Sequence, residues 1–202
     1  NTQAILQWCA CDTGRTFMAS KRSTVIRDLK RSMPGSILLD AGEAFGSVSA
    51  LRRGGMDEIQ RAQTQLSIME SIGYDLGVLG PDALLLGEEF LGRLRSTSIA
   101  WLCANVRGPV GSGQETATAV TRSVGEHRVG LVALASRRLF TDIPVGAGWV
   151  MEEADIAYAG VTASTSPAPD LWVAFGPLEE EDVHKLLAAP SPPAAEISSC
   201  PA

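Results

Sequence analysis

Short apolar runs alternate along the chain with longer stretches of helical period. "SILLDAG" (36–42), "YDLGVLG" (74–80), "SIAWLCANV" (98–106), "HRVGLVALA" (127–135) and "DLWVAFG" (170–176) are dense in Leu, Val, Ile and Trp, and most end on glycine or a turn residue. That is the pattern of buried strands. Between them, residues 19–32, 56–73 and 81–96 place apolar side chains at helical spacing. In the second of these, Ile59, Ala62, Leu66 and Met69 form a stripe, and Gly73 supplies the stop. Strands alternating with helices predict parallel pairing with crossover helices, an α/β layered fold. Ligands in such sheets collect where loops leave the carboxyl ends of the strands. Those loops are predicted to begin at Asp40, Gly80, Asn105, Ser136 and Gly176. Residues 160–169 ("GVTASTSPAP") read as a loop. Residues 1–187 are expected to form one domain, followed by a Pro/Ala/Ser-rich tail over 188–202 that is expected to contribute no core element.

Composition narrows the classes. With 202 residues and 45% hydrophobic content the chain can bury one substantial core. A formal charge of −6 and scattered arginines argue against a nucleic-acid surface, which needs a basic stripe to neutralise phosphates. No apolar run approaches the roughly 18 residues of a membrane span. The sequence starts at Asn1 rather than Met, as signal cleavage or other trimming would leave it.

Candidate chemistry is sparse. Cys9 and Cys11 lie one residue apart in an extended segment and point to opposite faces, so they do not match a CxxC metal knuckle. Each is open to a disulfide with Cys103 or with Cys200 of the tail, or to life as a buried thiol. There is no CxxCH haem-attachment motif, phosphate-loop lysine, GxSxG elbow or GxGxxG fingerprint, and no cofactor is expected. "GPVGSGQ" (108–114) reads as a flexible turn, and the acidic run at 178–182 as the first turn of a helix. His127 begins a strand and His184 lies on a predicted exposed helix. Trp8, Trp101 and Trp172 fall in strands and are expected in the core, whereas Trp149 is expected at the surface as an anchor for a partner.

"LLDAGEAF", "SIGYDLGVLGPDALLLG" and "LCANV", in this order and spacing, resemble the 5'-nucleotidase-like branch of the calcineurin-type metallophosphoesterases, whose pieces read LLDAGDxF, GYDxxxxGNHEFDxG and LSANV. "HRVGLVAL" and "DLWVAFGPLEEEDVHKLL" resemble later segments of the same family. "CAC" followed by "RTFMASKRSTVIRDLKR" is similar to a CxC-containing subgroup found alongside multihaem cytochromes. The resemblance implies a layered sandwich with βαβ units and mostly parallel core strands. It also implies a site of two divalent metals about 3.5–4 Å apart that activates water.

At the family's opening Asp-x-His this chain has Asp12-Thr13-Gly14, keeping the carboxylate and losing the imidazole at Gly14. Asp40 is kept, the bridging aspartate becomes Glu43, and the Asn-His pair becomes Pro81-Asp82. The later histidine falls near Gly176 or Pro177, and the terminal Gly-His-x-His has no counterpart within the 202 residues. A site short of every histidine is expected to hold transition metals poorly. Asp12, Asp40, Glu43 and Asp82 could together hold a hard cation through oxygen, or could be solvated loop acids and helix caps. On this reading no metal is bound and the chain is not an enzyme. It is expected to be a degenerate, non-catalytic accessory or scaffold subunit of a larger complex, extracytoplasmic or periplasmic. A multihaem cytochrome is the candidate partner, and membrane contact comes only through partners or a missing anchor. The alternatives are a divergent metal-dependent phosphohydrolase acting on nucleotides or phosphate esters, and a small-ligand-binding protein.

Overall fold

The computed structural model describes residues 18–53, 55–108, 116–141, 143 and 149–198. Three parallel strands, β1 (Leu39–Asp40), β2 (Leu76–Val78) and β3 (Ala100–Leu102), form a first sheet in the order β1-β2-β3. A second sheet has the order β5-β6-β8-β9, from Ala119–Val124, His127–Ala133, Leu171–Gly176 and Ala195–Ser198. Only β5 runs antiparallel within it. The two-residue strands β4 (Val106–Arg107) and β7 (Val150–Met151) pair antiparallel beside them.

Alternation of side chains along each strand builds the layers. Leu76, Val78, Ala100 and Leu102 of the first sheet meet Val129, Leu131, Ala133 and Phe175 of the second in one cluster, so the sheets face each other. On the outer face of the first sheet, Trp101 and Cys103 pack against Ile26 of α1 (Met18–Ser32), Ala62, Leu66 and Met69 of α3 (Met56–Ile72), and Phe90 and Leu94 of α5 (Gly87–Arg95). On the outer face of the second, Val132, Leu134 and Ala174 pack against Ala157, Tyr158 and Val161 of α6 (Ala154–Ser164) and Leu186 of α7 (Glu180–Leu187). The result is an α/β/β/α sandwich. Each fully buried Phe or Leu here contributes roughly 1.5–3 kcal/mol relative to exposure.

The two sheets share one packing device. Gly77 is registered with Trp101, and Gly130 with Trp172. In each pair the indole lies over the glycine, where a Cβ would overlap the ring. A Trp beside a Gly is therefore the unit that fills the outer face of each central strand.

All five runs expected as strands contain one. The helices expected over 19–32 and 56–73 match α1 and α3, and Gly73 closes α3 in the left-handed conformation. The acidic run opens α7, where Glu179 and Asp182 form a capping box. The expectation over 81–96 divides into α4 (Pro81–Leu85) and α5 around Leu86, because Gly87 takes a φ of 81°. Ile59 departs from its predicted stripe and is 39% exposed. Residues 160–164 belong to α6 rather than to a loop, and residues 195–198 of the expected tail add β9 to the sheet. α2 (Val48–Arg53), β5 and a 3-10 turn at Arg137–Phe140 were not anticipated. The Gly-rich segment 109–115 and Trp8 lie outside the described residues. No helix among the described residues is long and apolar enough to cross a membrane.

Candidate functional site

The carboxyl ends of the strands carry the candidate acids. Asp40 ends β1 and is 3% exposed, and its Oδ2 accepts the Gly42 N–H at 3.1 Å, closing a tight turn. Gly42 takes a φ of 112°, and a Cβ there would come within 2.9 Å of the Pro177 ring. Glu43 follows with a φ of 56°, a left-handed conformation uncommon for a residue with a side chain. The turn delivers Ala44 and Phe45 into the core, where Phe45 meets Phe90 edge-on at 4.8 Å and Trp101 at 5.4 Å. Burial of that aromatic group is what holds the strained backbone at Glu43 in place.

Asp82 sits in the first turn of α4, behind Pro81 at the helix start, and is 1% exposed. Its Oδ2 accepts the Phe45 backbone N–H at 2.9 Å, joining the loops that follow β1 and β2. A Cβ on Gly80 would lie 2.8 Å from Asp82 Oδ1, so a small residue is needed there. Burial pushes the Asp82 carboxyl up to about 7, and the neighbouring Asp40 and Glu43 charges add to the shift against the hydrogen bond from Phe45. Burial raises the Glu43 carboxyl too, with the Asp40 charge adding to it. Glu43 Oε2 is buried and has no hydrogen-bond partner. The Asp40 charge thus raises both Glu43 and Asp82 across two adjacent loops, the amino-terminal charge works against the rise at Glu43, and Glu43 Oε2 has no hydrogen-bond partner among the described residues.

Asn105 lies at the same rim and was anticipated only as a loop start. Its Nδ2 donates to the carbonyls of Ala135 (2.6 Å) and Glu152 (3.1 Å), and its Oδ1 accepts the Ala135 N–H at 3.0 Å. The Cys103 thiol, buried and free, donates to the same Oδ1 at 3.5 Å. Of the two states open to Cys103, the structure has the buried thiol: its sulfur lies in the core behind the first sheet, and burial pushes it up to about 12. Cys9, Cys11, Cys200, Asp12 and Gly14 lie outside the described residues. His127 begins β6 and His184 lies in α7, both exposed and away from the acids. Trp149, expected as a free surface aromatic, is partly buried against the first helical cluster.

Two larger clefts lie elsewhere. One of about 430 Å³ is lined by Ser136, Arg137, Arg138, Glu153, Glu181 and Lys185 among others, and its basic groups are tied in ion pairs to Glu153, Glu179 and Glu181. Another of about 490 Å³ is mainly apolar and runs between α6, Trp172 and Pro190. Among the described residues no group of three or more His, Cys, Asp and Glu side chains gathers as a metal site. The donors at the rim are all oxygens. They suit a hard cation such as Mg²⁺ or Ca²⁺, and they do not suit an imidazole-rich transition-metal pair.

No sequence-family profile matches the chain, and no curated protein matches it. Solved structures do. The calcineurin-like phosphoesterase YfkN from Bacillus subtilis superposes with a TM-score of 0.66 at 16% identity, over 91% of this chain and 64% of that one. The NAD nucleotidase of Haemophilus influenzae gives 0.72 at 13% identity, over 90% and 32%. A 5'-nucleotidase precursor from Thermus thermophilus gives 0.64 at 19% identity, over 81% and 32%. The chain therefore spans from about a third to under two thirds of the length of these proteins.

These neighbours correct the expectation that the chain is not an enzyme, since all three are phosphoesterases or nucleotidases. The physical reason concerns what was counted. The terminal Gly-His-x-His, missing from these 202 residues, is no sign of lost chemistry when the chain spans only part of its neighbours. Asp40 and Asp82 stay anchored by backbone N–H groups, and between them Glu43 has a left-handed backbone and a side-chain oxygen without a hydrogen-bond partner among the described residues. At this level of identity the comparison establishes architecture, and the architecture is that of the calcineurin-like phosphoesterases and 5'-nucleotidases.

Proposed function

We propose that the chain belongs to a divergent metal-dependent phosphohydrolase acting on nucleotides or other phosphate esters. The observation that carries this reading is Glu43. It combines a left-handed backbone with a buried, unpartnered carboxylate oxygen beside Asp40 and Asp82. An oxygen buried without a donor costs free energy that a bound cation would recover.

Asp40 and Glu43 are the residues that would hold a divalent cation, with Asp12 as the further carboxylate that the sequence resemblance supplies. When bound, such an ion polarises a phosphoryl oxygen and lowers the pKa of water. The protein's own contribution is to keep these oxygens fixed. The Gly42 N–H orients the Asp40 carboxylate, the Phe45 N–H orients Asp82, and the Phe45 ring anchors the loop in the core against Phe90 and Trp101. Pro81 and Asp82 stand where the family places an amide ligand and an imidazole, so these two residues reproduce neither role.

The reading is tested by phosphate release from a nucleotide and an aryl phosphate with one divalent ion at a time. Asp40→Ala is expected to abolish any metal-stimulated release. An extracytoplasmic location and docking to a cytochrome-bearing membrane assembly are further proposals, supported by the resemblance of the amino-terminal segment alone. Mass spectrometry of proteins that co-purify from the native source tests them.

A further inference from the structure

We infer that Asn105 is a positioning residue, whose carboxamide holds the rim of the second sheet against the loop that carries Asp40 and Glu43 and, through Phe45, anchors Asp82. The inference rests on the phosphohydrolase reading of that loop.

A chain of contacts links Asn105 to the acids. Asn105 is 1% exposed, and its side chain pairs with both backbone groups of Ala135, as a neighbouring peptide would. A third bond, from Nδ2 to the Glu152 carbonyl, fixes the segment entering α6. One residue beyond Ala135, the Ser136 N–H donates to the Pro177 carbonyl at 2.9 Å. Pro177 then stands against Gly42, with space for no more than a hydrogen atom on that Cα. Gly42 leads directly into the strained Glu43 and on to Phe45, whose N–H holds Asp82.

The carboxamide thus sits just past the end of β3 and bonds to the segments that follow β6 and β7. Backbone pairing across this junction is thin: Ala104 N–H to Ala133 O at 2.8 Å, and a single bridge between Leu102 and Ala117. A buried carboxamide whose donors and acceptor are all used rigidifies such a junction, and half-satisfied it would loosen it. The side chain of Asn105 bonds to Ala135 and Glu152, and the path from Ala135 to the acids runs through Ser136, Pro177 and Gly42.

The test is amide hydrogen exchange by NMR on the whole chain, in wild type, Asn105→Asp and Pro177→Ala. Asn105→Asp keeps the shape and removes the donors to Ala135 and Glu152. A positioning role predicts that the Gly42 and Phe45 amides exchange faster by about tenfold or more, although neither bonds to residue 105. A merely structural role would disturb only the segments whose Ala135 and Glu152 carbonyls face the new carboxylate, and leave Gly42 and Phe45 at wild-type rates. Pro177→Ala removes the buried ring that stands against Gly42 and keeps the carbonyl that Ser136 N–H bonds, and is expected to free Gly42 and Phe45 while Ala135 stays protected. If both variants leave Gly42 and Phe45 at wild-type rates, the inference is overturned, and an unfolded Asn105→Asp leaves Pro177→Ala to decide. In the phosphate-release assay Asn105→Asp should lower kcat with little change in KM. Absence of any wild-type activity would sink the phosphohydrolase reading while the exchange result still judged the positioning role.

Discussion

The backbone N–H of Phe45 donates to Asp82 Oδ2 at 2.9 Å, tying the loop after β1 to the helix that follows β2. The bond lowers the tendency of Asp82 to hold a proton, yet burial outweighs it and the carboxyl is pushed up to about 7. Unfolded, the same carboxyl titrates near its ordinary value of 3.8. Between those values the folded state binds more protons than the unfolded one. Stability should therefore fall as pH rises across this window, by on the order of 1.4 kcal/mol per pH unit crossed, and level off above about pH 7. Urea denaturation at pH 5, 6, 7 and 8 measures the slope. In Asp82→Asn that slope should flatten, and an unchanged slope would mean that another group titrates.

A divalent cation at the acids favours their ionised forms. Mg²⁺ or Ca²⁺ should therefore raise the melting temperature of the wild type more at pH 8 than at pH 5, where Asp82 and Glu43 keep more of their protons. Glu43→Gln, which removes the charge at the unpartnered oxygen, should lose most of the shift at both pH values. Differential scanning fluorimetry with an EDTA control reads the effect.

Gly176 closes β8 with a φ of 150°, and a Cβ there would overlap the carbonyl oxygen of Leu134. That close approach lets Leu134 N–H reach Phe175 O at 2.9 Å and turns the chain toward Pro177. Gly176→Ala is expected to cost more than about 3 kcal/mol by chemical denaturation, through strain and displacement of β6 from β8.

The Cys103 thiol is fully buried, free, and pushed up to about 12. Since the thiolate is the reactive form, native protein at pH 8 should leave Cys103 unalkylated while the denatured chain is modified. Peptide-resolved mass spectrometry separates it from Cys9, Cys11 and Cys200.

Tyr158 is 1% exposed and its hydroxyl has no partner. Its ring packs edge-on to Trp172 at 6.4 Å, so the aromatic body does the packing. Tyr158→Phe should range from neutral to about 1 kcal/mol more stable, because it deletes an unsatisfied buried group and keeps the ring.

Much of the frame was readable from local pattern. Asp40, Gly80, Asn105, Ser136 and Gly176 were expected as the loop starts of a parallel sheet, and they stand together at one rim because each follows a dense apolar run. What escaped is instructive. β9 lies in "AEIS" within a Pro/Ala/Ser stretch, where the ladder to β8 comes from backbone and needs no apolar run. α6 escaped, with 160–169 read as a loop, because Gly160, Thr162 and Ser164 are weak helix formers, yet Tyr158 and Val161 bury against the second sheet and override propensity. β5 is half exposed and polar, so its residues carry only a faint strand signal.

At the site, the identities of Asp40, Glu43 and Asp82 were legible and their condition was not. The strain at Glu43, the burial of Asp82 and the part played by Asn105 come from packing between loops far apart in sequence. Counting histidines led to a non-enzyme, because it weighed residues that were missing and not the state of the carboxylates that remain.

The most direct measurement is phosphate release by purified wild-type chain, assayed beside Glu43→Gln with Mg²⁺, Ca²⁺ or Mn²⁺ supplied singly after EDTA treatment. The account predicts release that depends on the added ion, is absent in EDTA, and falls at least about a hundredfold in Glu43→Gln. Equal release by both proteins, or none from the wild type with any ion, would contradict it.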